Sequence, residues 1–190
     1  MIRGAIFDLD GTLLDSMSIW DTIGEDYLRS LGIEPRENLR ETFATFTLEQ
    51  AARYYQEHYG VALSVPEILR GIEDMVASAY RQTVPLKAGA ADFLRVLKER
   101  GVSLCVATVT PEPLARAALR RLNVLPLFRD ILTCAAVGHG KEEPHIYRAA
   151  LERLQTKKRE TAVFEDALHA LATARADGFG AVAVYGSHEP

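Results

Sequence analysis

The amino-acid sequence predicts an α/β protein: a doubly wound parallel sheet core, interrupted by an inserted all-helical subdomain. From about residue 84 onward, short apolar runs alternate with segments of helical periodicity, which is typical of parallel strands joined by crossover helices. Another apolar run, at residues 3–7, lies far upstream, and the stretch between shows only helical spacing. We therefore expect a core domain built from residues 1–15 and 84–190, and a helical subdomain at residues 16–83.

The helical subdomain is predicted to contain three amphipathic helices. Apolar residues recur three or four positions apart in each of them, and this spacing places them on one helix face. Gly32 and Gly60 are expected to end the first two helices, and Thr47 is the expected N-cap of the second. The helices are predicted at about residues 20–31, 48–59 and 65–80.

The core is predicted to contain five strands connected by helices. Each strand segment is largely apolar, as expected of strands that are covered on both faces. Thr110 is the expected N-cap of the helix that begins near residue 111. The strands are predicted at residues 3–7, 102–107, 130–136, 161–164 and 181–184, and the helices around residues 93–97 and at 111–122, 143–154 and 167–176.

Composition excludes several classes of function. The 190 residues include 22 basic and 26 acidic side chains, without the clustered lysine and arginine of a nucleic-acid surface. No segment approaches the roughly 20 apolar residues of a membrane span, and the first strand begins too early to leave room for a signal peptide. Cys105 and Cys134 lie in apolar runs and are expected to be reduced core residues. We expect a cytoplasmic monomer.

Two acids follow the first strand directly. Asp8 and Asp10 flank Leu9 and precede Gly11; on an extended backbone their side chains would point to opposite faces, and the glycine permits the bend that lets them converge. Buried carboxylates at a strand end are costly without a compensating cation. Carboxylate and carbonyl oxygens suit a hard ion, above all Mg²⁺.

Chemistry-bearing residues also follow the other strands. Thr108 and Val109 end the second strand, where a hydroxyl beside free backbone N–H groups can bind phosphate oxygens. Lys141 lies in a glycine-flanked loop after the third strand, and Glu165 and Asp166 end the fourth. Because ligands of open α/β sheets sit beyond the carboxyl ends of the strands, these side chains are expected to share one site.

These segments resemble, in order, the four motifs of the haloacid dehalogenase superfamily. The run from Asp8 to Thr12 reads Asp-Leu-Asp-Gly-Thr and resembles the first motif, in the form found in the phosphatase and phosphomutase branch. The chain departs from the third and fourth motifs at Glu142, Ala167 and Ala170, where proline, serine and glycine are usual. The resemblance is closest to the helical-cap branch, which includes phosphoglycolate phosphatase and β-phosphoglucomutase.

The resemblance implies a Rossmann-like core and a Mg²⁺-dependent phosphatase acting on a small phosphorylated metabolite such as a sugar phosphate. It implies that Asp8 is the nucleophile, forming an aspartyl-phosphate, and that Asp10 is the general acid and base. It further implies Thr108, Val109 and Lys141 as phosphate-binding residues. The implied metal-binding residues are Asp8, Asp10 through its carbonyl, Asp166, and Glu165 close by.

The helical subdomain is expected to act as a cap that controls water and selects the substrate. Trp20 and Thr47 are the candidate specificity residues; Asp21, Glu25, Thr45 and Phe46 are further candidates. No histidine precedes His58, whereas β-phosphoglucomutases place one early in the cap, so a phosphatase is favoured. The alternatives are a phosphosugar mutase and a catalytically silent binding protein. His139 is expected to be an ordinary loop residue.

Overall fold

The computed structural model describes residues 1–43 and 46–185 and contains two compact units. The first unit combines Met1–Ser16 with the chain from Tyr80 onward, and the second is Met17–Ala79. The division falls inside a helix, so Tyr80 belongs to the first unit. Within the described residues, none of the helices has both the length and the apolar character that crossing a membrane requires.

The first unit is built on a five-stranded parallel sheet, which confirms the predicted α/β class. Strand order is β3-β2-β1-β4-β5, so the first strand lies at the centre, flanked by β2 and β4. Ile6 pairs in register with Cys105 on one side and with Val163 on the other. The strands are β1 (Gly4–Phe7), β2 (Ser103–Thr108), β3 (Phe128–Thr133), β4 (Thr161–Glu165) and β5 (Gly180–Ala183).

Helices occupy the chain between these strands. The second unit contains α1 (Ser18–Ser30), α2 (Leu39–Phe43), α3 (Leu48–Tyr59) and most of α4 (Val65–Gln82). After it come α5 (Ala90–Glu99), α6 (Glu112–Arg121), α7 (Cys134–Val137), α8 (His145–Leu154) and α9 (Leu168–Ala176).

Both faces of the sheet are covered by apolar side chains. Ile6 lies in a cluster with residues of α8 and α9, including Ile146 and Ala174. The next residue, Phe7, points to the other face, as strand alternation requires. There its ring stacks on that of Phe164 at 4.5 Å between centroids and meets Phe93 of α5 edge-on at 6.2 Å. The central strand β1 is therefore buried along its whole length, with Asp8 directly after its end.

The second unit has its own apolar core, and helix α3 begins and ends where the sequence predicts. Thr47 is the N-cap of α3 in a reciprocal capping box with Gln50, and Gly60 ends that helix in a left-handed conformation. Tyr55 is fully buried, and its hydroxyl donates to the carbonyl of Gly24 at 2.8 Å. The core cluster is Tyr27, Leu28, Leu39, Ala52, Tyr55, Val61, Ile68 and Ile72.

The prediction that β3 continues to residue 136 is wrong. The strand ends at Thr133, whose hydroxyl accepts a hydrogen bond from the backbone N–H of Ala136 at 3.1 Å and so caps the short helix α7. Apolar runs of this length do not distinguish a strand from one helical turn, and the capping hydroxyl decides between them. The short helix α2 was likewise absent from the sequence prediction.

Candidate active site

Three acids converge where β1 and β4 end side by side. Asp8 follows β1 and is 5% exposed, Glu165 is the last residue of β4, and Asp166 comes next. One carboxylate oxygen from each of the three lies within 4.8 Å of the other two. They meet because β1 and β4 pair in parallel, with Phe7 in register with Phe164.

Lys141 reaches this cluster from the loop between α7 and α8. Its Nζ donates to Asp8 Oδ1 and to Glu165 Oε1, and all three side chains are almost fully buried. Tyr147 supports the arrangement, since its hydroxyl donates to the same Glu165 oxygen at 3.3 Å. The lysine thus places a positive charge between the carboxylates of Asp8 and Glu165.

Burial and charge act in opposite directions on these groups. Burial raises the pKa of Asp8 to about 7, and the Lys141 ammonium opposes that rise. Burial lowers the pKa of Lys141, but the carboxylates of Asp8 and Glu165 outweigh it and hold that pKa above its ordinary value. The lysine therefore stays charged, and its positive charge favours the ionised form of Asp8 near neutral pH, where burial alone favours the protonated form.

The Asp166 carboxylate lies against the backbone at Gly11. A Cβ atom built on Gly11 would stand 1.9 Å from Asp166 Oδ2, and the glycine has a left-handed φ of +79°. The Thr12 hydroxyl donates to Asp166 Oδ1 at 3.5 Å. The glycine after Asp10 therefore permits both the bend of the loop and the close approach of the fourth-strand carboxylate.

Three hydroxyl groups surround the carboxylate of Asp10. Ser16 and Tyr80 donate to Oδ1 at 2.7 and 2.5 Å, and Thr110 donates to Oδ2. Burial, followed by the Asp10 charge, raises the pKa of Tyr80 above its ordinary value, so its phenol stays a donor. The three bonds fix the orientation of the carboxylate, which is separate from the cluster around Asp8.

The expected capping role of Thr110 is wrong. Helix α6 has Pro111 at its N-cap and no side-chain capping bond, because the Thr110 hydroxyl is turned to Asp10 instead. The Thr110 backbone N–H donates to the buried Thr108 hydroxyl at 3.0 Å. Thr108 thus ends β2 with its oxygen in the turn, and Val109 beside it is 64% exposed.

The candidate specificity residues lie in the second unit. Trp20 and Thr47 both line a cavity of about 480 Å³, whose wall also includes Asp21, Glu25 and Phe46. The Thr47 hydroxyl also accepts a hydrogen bond from Gln50 N at 3.2 Å and thereby caps helix α3. Thr45 lies outside the described residues.

The departures from the usual motifs are accommodated locally. Helix α9 begins after Ala167 with no side-chain capping bond, which is the contact that a serine there would supply. Ala170 is fully buried, as a small residue in close packing must be. Glu142 is exposed, and its carbonyl accepts a bond from Thr173 at 3.3 Å. None of the three displaces Lys141 or Asp166 from the acid cluster.

The donor set fits a magnesium ion. Carboxylate oxygens are hard ligands of the kind Mg²⁺ requires; three lie within 4.8 Å of one another, and Lys141 donates to two of these carboxylates. The Gly11 backbone leaves room for Asp166, which a side chain would remove. Asp8 and Asp166 are the residues best placed to hold the ion, with Glu165 adjacent.

Sequence reasoning missed the groups that orient the acids. Tyr80 and Tyr147 lie on apolar helix stripes, where a tyrosine reads as a core residue. Thr110 reads in the sequence as the N-cap of the helix that follows it. Ser16 and Thr110 follow β1 and β2 in sequence, but hydroxyl residues after strands are too frequent to single them out.

Known proteins resemble this chain in sequence and in fold. The profile of the haloacid dehalogenase-like hydrolases matches residues 2–178. CbbY of Cereibacter sphaeroides is 31% identical over 189 residues, covering 94% of this chain and 82% of its own. The phosphorylated carbohydrates phosphatase of Thermotoga maritima is 24% identical over 177 residues, covering 93% and 82%. The crystal structure of a β-phosphoglucomutase-like protein from Thermotoga maritima has a TM-score of 0.87 at 24% identity, covering 100% and 88%.

These matches extend over almost the whole chain. Fold and family together define an α/β hydrolase with a helical insert. The chain belongs to the haloacid dehalogenase-like hydrolases. Because relatives that match along most of its length are named phosphatases, it is a phosphomonoesterase.

Proposed function

We propose that this enzyme is a Mg²⁺-dependent phosphatase that hydrolyses a small phosphorylated metabolite, in particular a sugar or sugar-alcohol phosphate, through an aspartyl-phosphate. One observation carries the proposal: the carboxylate of Asp8 is buried beneath Lys141 and shares a 4.8 Å cluster with Glu165 and Asp166. An ionised nucleophile, a fixed cation and spare hard ligands are what phosphoryl transfer to a carboxylate needs.

In the first step, a carboxylate oxygen of Asp8 forms a bond to phosphorus as the ester P–O bond breaks. Asp10 donates a proton to the departing alkoxide oxygen, giving the free alcohol. The hydroxyls of Ser16, Tyr80 and Thr110 hold the Asp10 carboxyl group in one orientation. Asp10 leaves the step ionised and able to act as a base.

In the second step, Asp10 takes a proton from a water molecule whose oxygen attacks phosphorus. The bond between phosphorus and Asp8 breaks, inorganic phosphate leaves, and both acids return to their starting states. Lys141 stays charged throughout and offsets the negative charge of the phosphoryl group. Bound Mg²⁺, held by Asp8, Asp166 and the Asp10 carbonyl, would supply further electrostatic stabilisation of that charge.

We propose that the phosphate group is also held by the turn at Thr108 and Val109, where the chain leaves β2 for α6. Substrate choice is assigned to the helical insert, residues 16–83, acting as a cap. Trp20, Asp21 and Glu25 line its cavity, and an aromatic ring and carboxylates are groups that suit the faces and hydroxyls of a polyol. A relative named as a phosphorylated carbohydrates phosphatase supports this substrate class. The free thiols of Cys105 and Cys134 support a cytoplasmic location.

The mechanism is tested with the Asp8→Asn substitution. The amide has nearly the same shape but cannot attack phosphorus, so hydrolysis of p-nitrophenyl phosphate in Mg²⁺ should be abolished while the circular dichroism spectrum is unchanged. Asp92→Asn is the matched control, because that carboxylate is 83% exposed and pairs with Arg95 on the surface. Full activity in Asp8→Asn would remove the covalent mechanism.

The phosphosugar mutase alternative is separated by a coupled assay. The enzyme is supplied with β-glucose 1-phosphate and a trace of the bisphosphate, and glucose 6-phosphate and inorganic phosphate are both followed. We expect phosphate release to be the faster process. Faster formation of glucose 6-phosphate would replace hydrolysis by isomerisation as the proposed activity. A screen of hexose and hexitol phosphates then identifies the preferred substrate.

A further inference from the structure

Two histidines and a glutamate form a cluster on the loop that carries Lys141. His139 Nδ1 lies 3.2 Å and His145 Nε2 lies 2.9 Å from the same oxygen, Oε2 of Glu143. The two imidazole rings stack, with centroids 3.9 Å apart and an interplanar angle of 22°. None of the three residues takes part in the proposed phosphoryl transfer.

The distances from Glu143 Oε2 to the two imidazole nitrogens match those between ligands of one small metal ion; on binding, the exposed rings would turn out of their stack so that both nitrogens face the ion. Nitrogen and oxygen ligands stand about 2.0–2.1 Å from zinc, so two ligands at a tetrahedral angle are about 3.3 Å apart. The three candidate ligand atoms all lie within 4.8 Å of one another. Two imidazoles and a carboxylate are a ligand set that zinc uses in proteins, with a fourth position left to water.

The local chain prepares this geometry. Gly138 closes α7 in a left-handed conformation with φ of +79°, and His145 is the first residue of α8. The loop between them brings positions 139, 143 and 145 together over a short contour. The three side chains are 42–56% exposed, so an ion can enter from solvent.

The same loop separates this cluster from the acid site. Lys141 is buried and turned to Asp8 and Glu165, whereas the flanking side chains of His139 and Glu143 are exposed. The two donor sets also differ in kind, since imidazole nitrogen favours zinc and related ions and the all-carboxylate set favours magnesium.

We propose that His139, Glu143 and His145 form a second metal site, which binds Zn²⁺ or a similar divalent transition-metal ion through Nδ1, Oε2 and Nε2. The bound ion ties the start of the loop to the first turn of α8 across the segment that carries Lys141. Because the ion binds the folded chain, it also raises thermal stability by mass action.

The test is calorimetric titration of Zn²⁺ into metal-free protein with Mg²⁺ present in large excess, so that the acid cluster is occupied. We expect one zinc per chain. His139→Asn and His145→Asn should each weaken binding by more than about tenfold. Co²⁺ in place of Zn²⁺ should give a visible absorption band of low coordination symmetry that disappears in the same variants.

Two controls locate the ion. His169→Asn removes an exposed histidine outside the cluster and should leave zinc affinity unchanged. Asp166→Asn alters the acid cluster and should also leave it unchanged. The absence of zinc binding in the presence of Mg²⁺, or zinc binding of full strength in His139→Asn/His145→Asn, overturns the assignment and leaves only a hydrogen-bonded cluster.

Discussion

The substitution Gly11→Ala tests the link between loop geometry and metal binding. A methyl group at this position would stand 1.9 Å from Asp166 Oδ2 and 2.8 Å from its Cγ. Contacts of a Cβ atom below 3.0 Å are essentially never seen, so the carboxylate must retreat by about 1 Å. Asp166 would then leave the cluster that it forms with Asp8 and Glu165.

The substitution should lower both stability and metal binding, and the two effects can be measured separately. Gly11 has φ of +79°, and an L-residue in that left-handed region costs about 1–2 kcal/mol of stability. The displaced carboxylate weakens Mg²⁺ binding by roughly 10–100-fold. A misplacement of about 1 Å at a catalytic centre costs up to about 10²-fold in rate, so activity should fall much more than stability.

Gly101→Ala is the matched control. Gly101 has φ of +77°, but a Cβ atom there meets nothing within 4 Å. Both variants should lose similar free energy of unfolding in urea. Only Gly11→Ala should lose p-nitrophenyl phosphatase activity and Mg²⁺ affinity, the latter by calorimetric titration. If Gly11→Ala and Gly101→Ala bind Mg²⁺ equally well, Asp166 is not a ligand and the reasoning fails.

Three further substitutions test single contacts. Tyr80→Phe removes one hydroxyl from Asp10 and should lower kcat by roughly tenfold, part of the 10²–10⁴ that acid–base catalysis supplies, with KM unchanged; an unchanged kcat contradicts the positioning role. Thr47→Ala removes the α3 capping box and should cost about 1 kcal/mol in urea unfolding, whereas Thr47→Ser should not. Arg148 is the main cause that holds the pKa of Asp177 near 2, below its ordinary 3.8. Asp177→Asn should therefore lower the free energy of unfolding by about 1 kcal/mol at pH 7, and this loss should shrink as pH falls from 4 towards 2. A loss of stability that does not change with pH would refute the argument.

The strand ends could be predicted from the sequence because a parallel sheet has only one place for such residues. Asp8, Lys141 and Asp166 each follow an apolar run in the alternating part of the chain. Parallel pairing brings consecutive carboxyl ends to one edge, and the structure places these three side chains together there.

The groups that orient those acids could not be predicted in the same way. Tyr80 lies 70 positions from Asp10, and Thr110 lies 100 positions away. Side-chain hydrogen bonds over such separations depend on the angles at which helices leave the sheet. The hydrophobic periodicity of the sequence does not reveal these angles. The end of β3 at Thr133 was missed for a related reason, since one hydroxyl decides between strand and helix.

Asp8 and Asp10 are two residues apart, yet their surroundings differ in kind. Asp8 is buried against the Lys141 ammonium, so the fold offers it a charge partner and space for an ion but no hydroxyl donor among its described contacts. Asp10 accepts three hydroxyl bonds and has no described ion pair.

Neighbouring carboxyl groups acquire separate tasks when their environments differ in this way. The Lys141 ammonium favours the ionised form of Asp8, while three hydroxyl donors hold the Asp10 carboxyl group in one orientation. The bend at Gly11 therefore places the two acids in different environments within one site. The proposed division of roles, with Asp8 as nucleophile and Asp10 as proton carrier, rests on this difference.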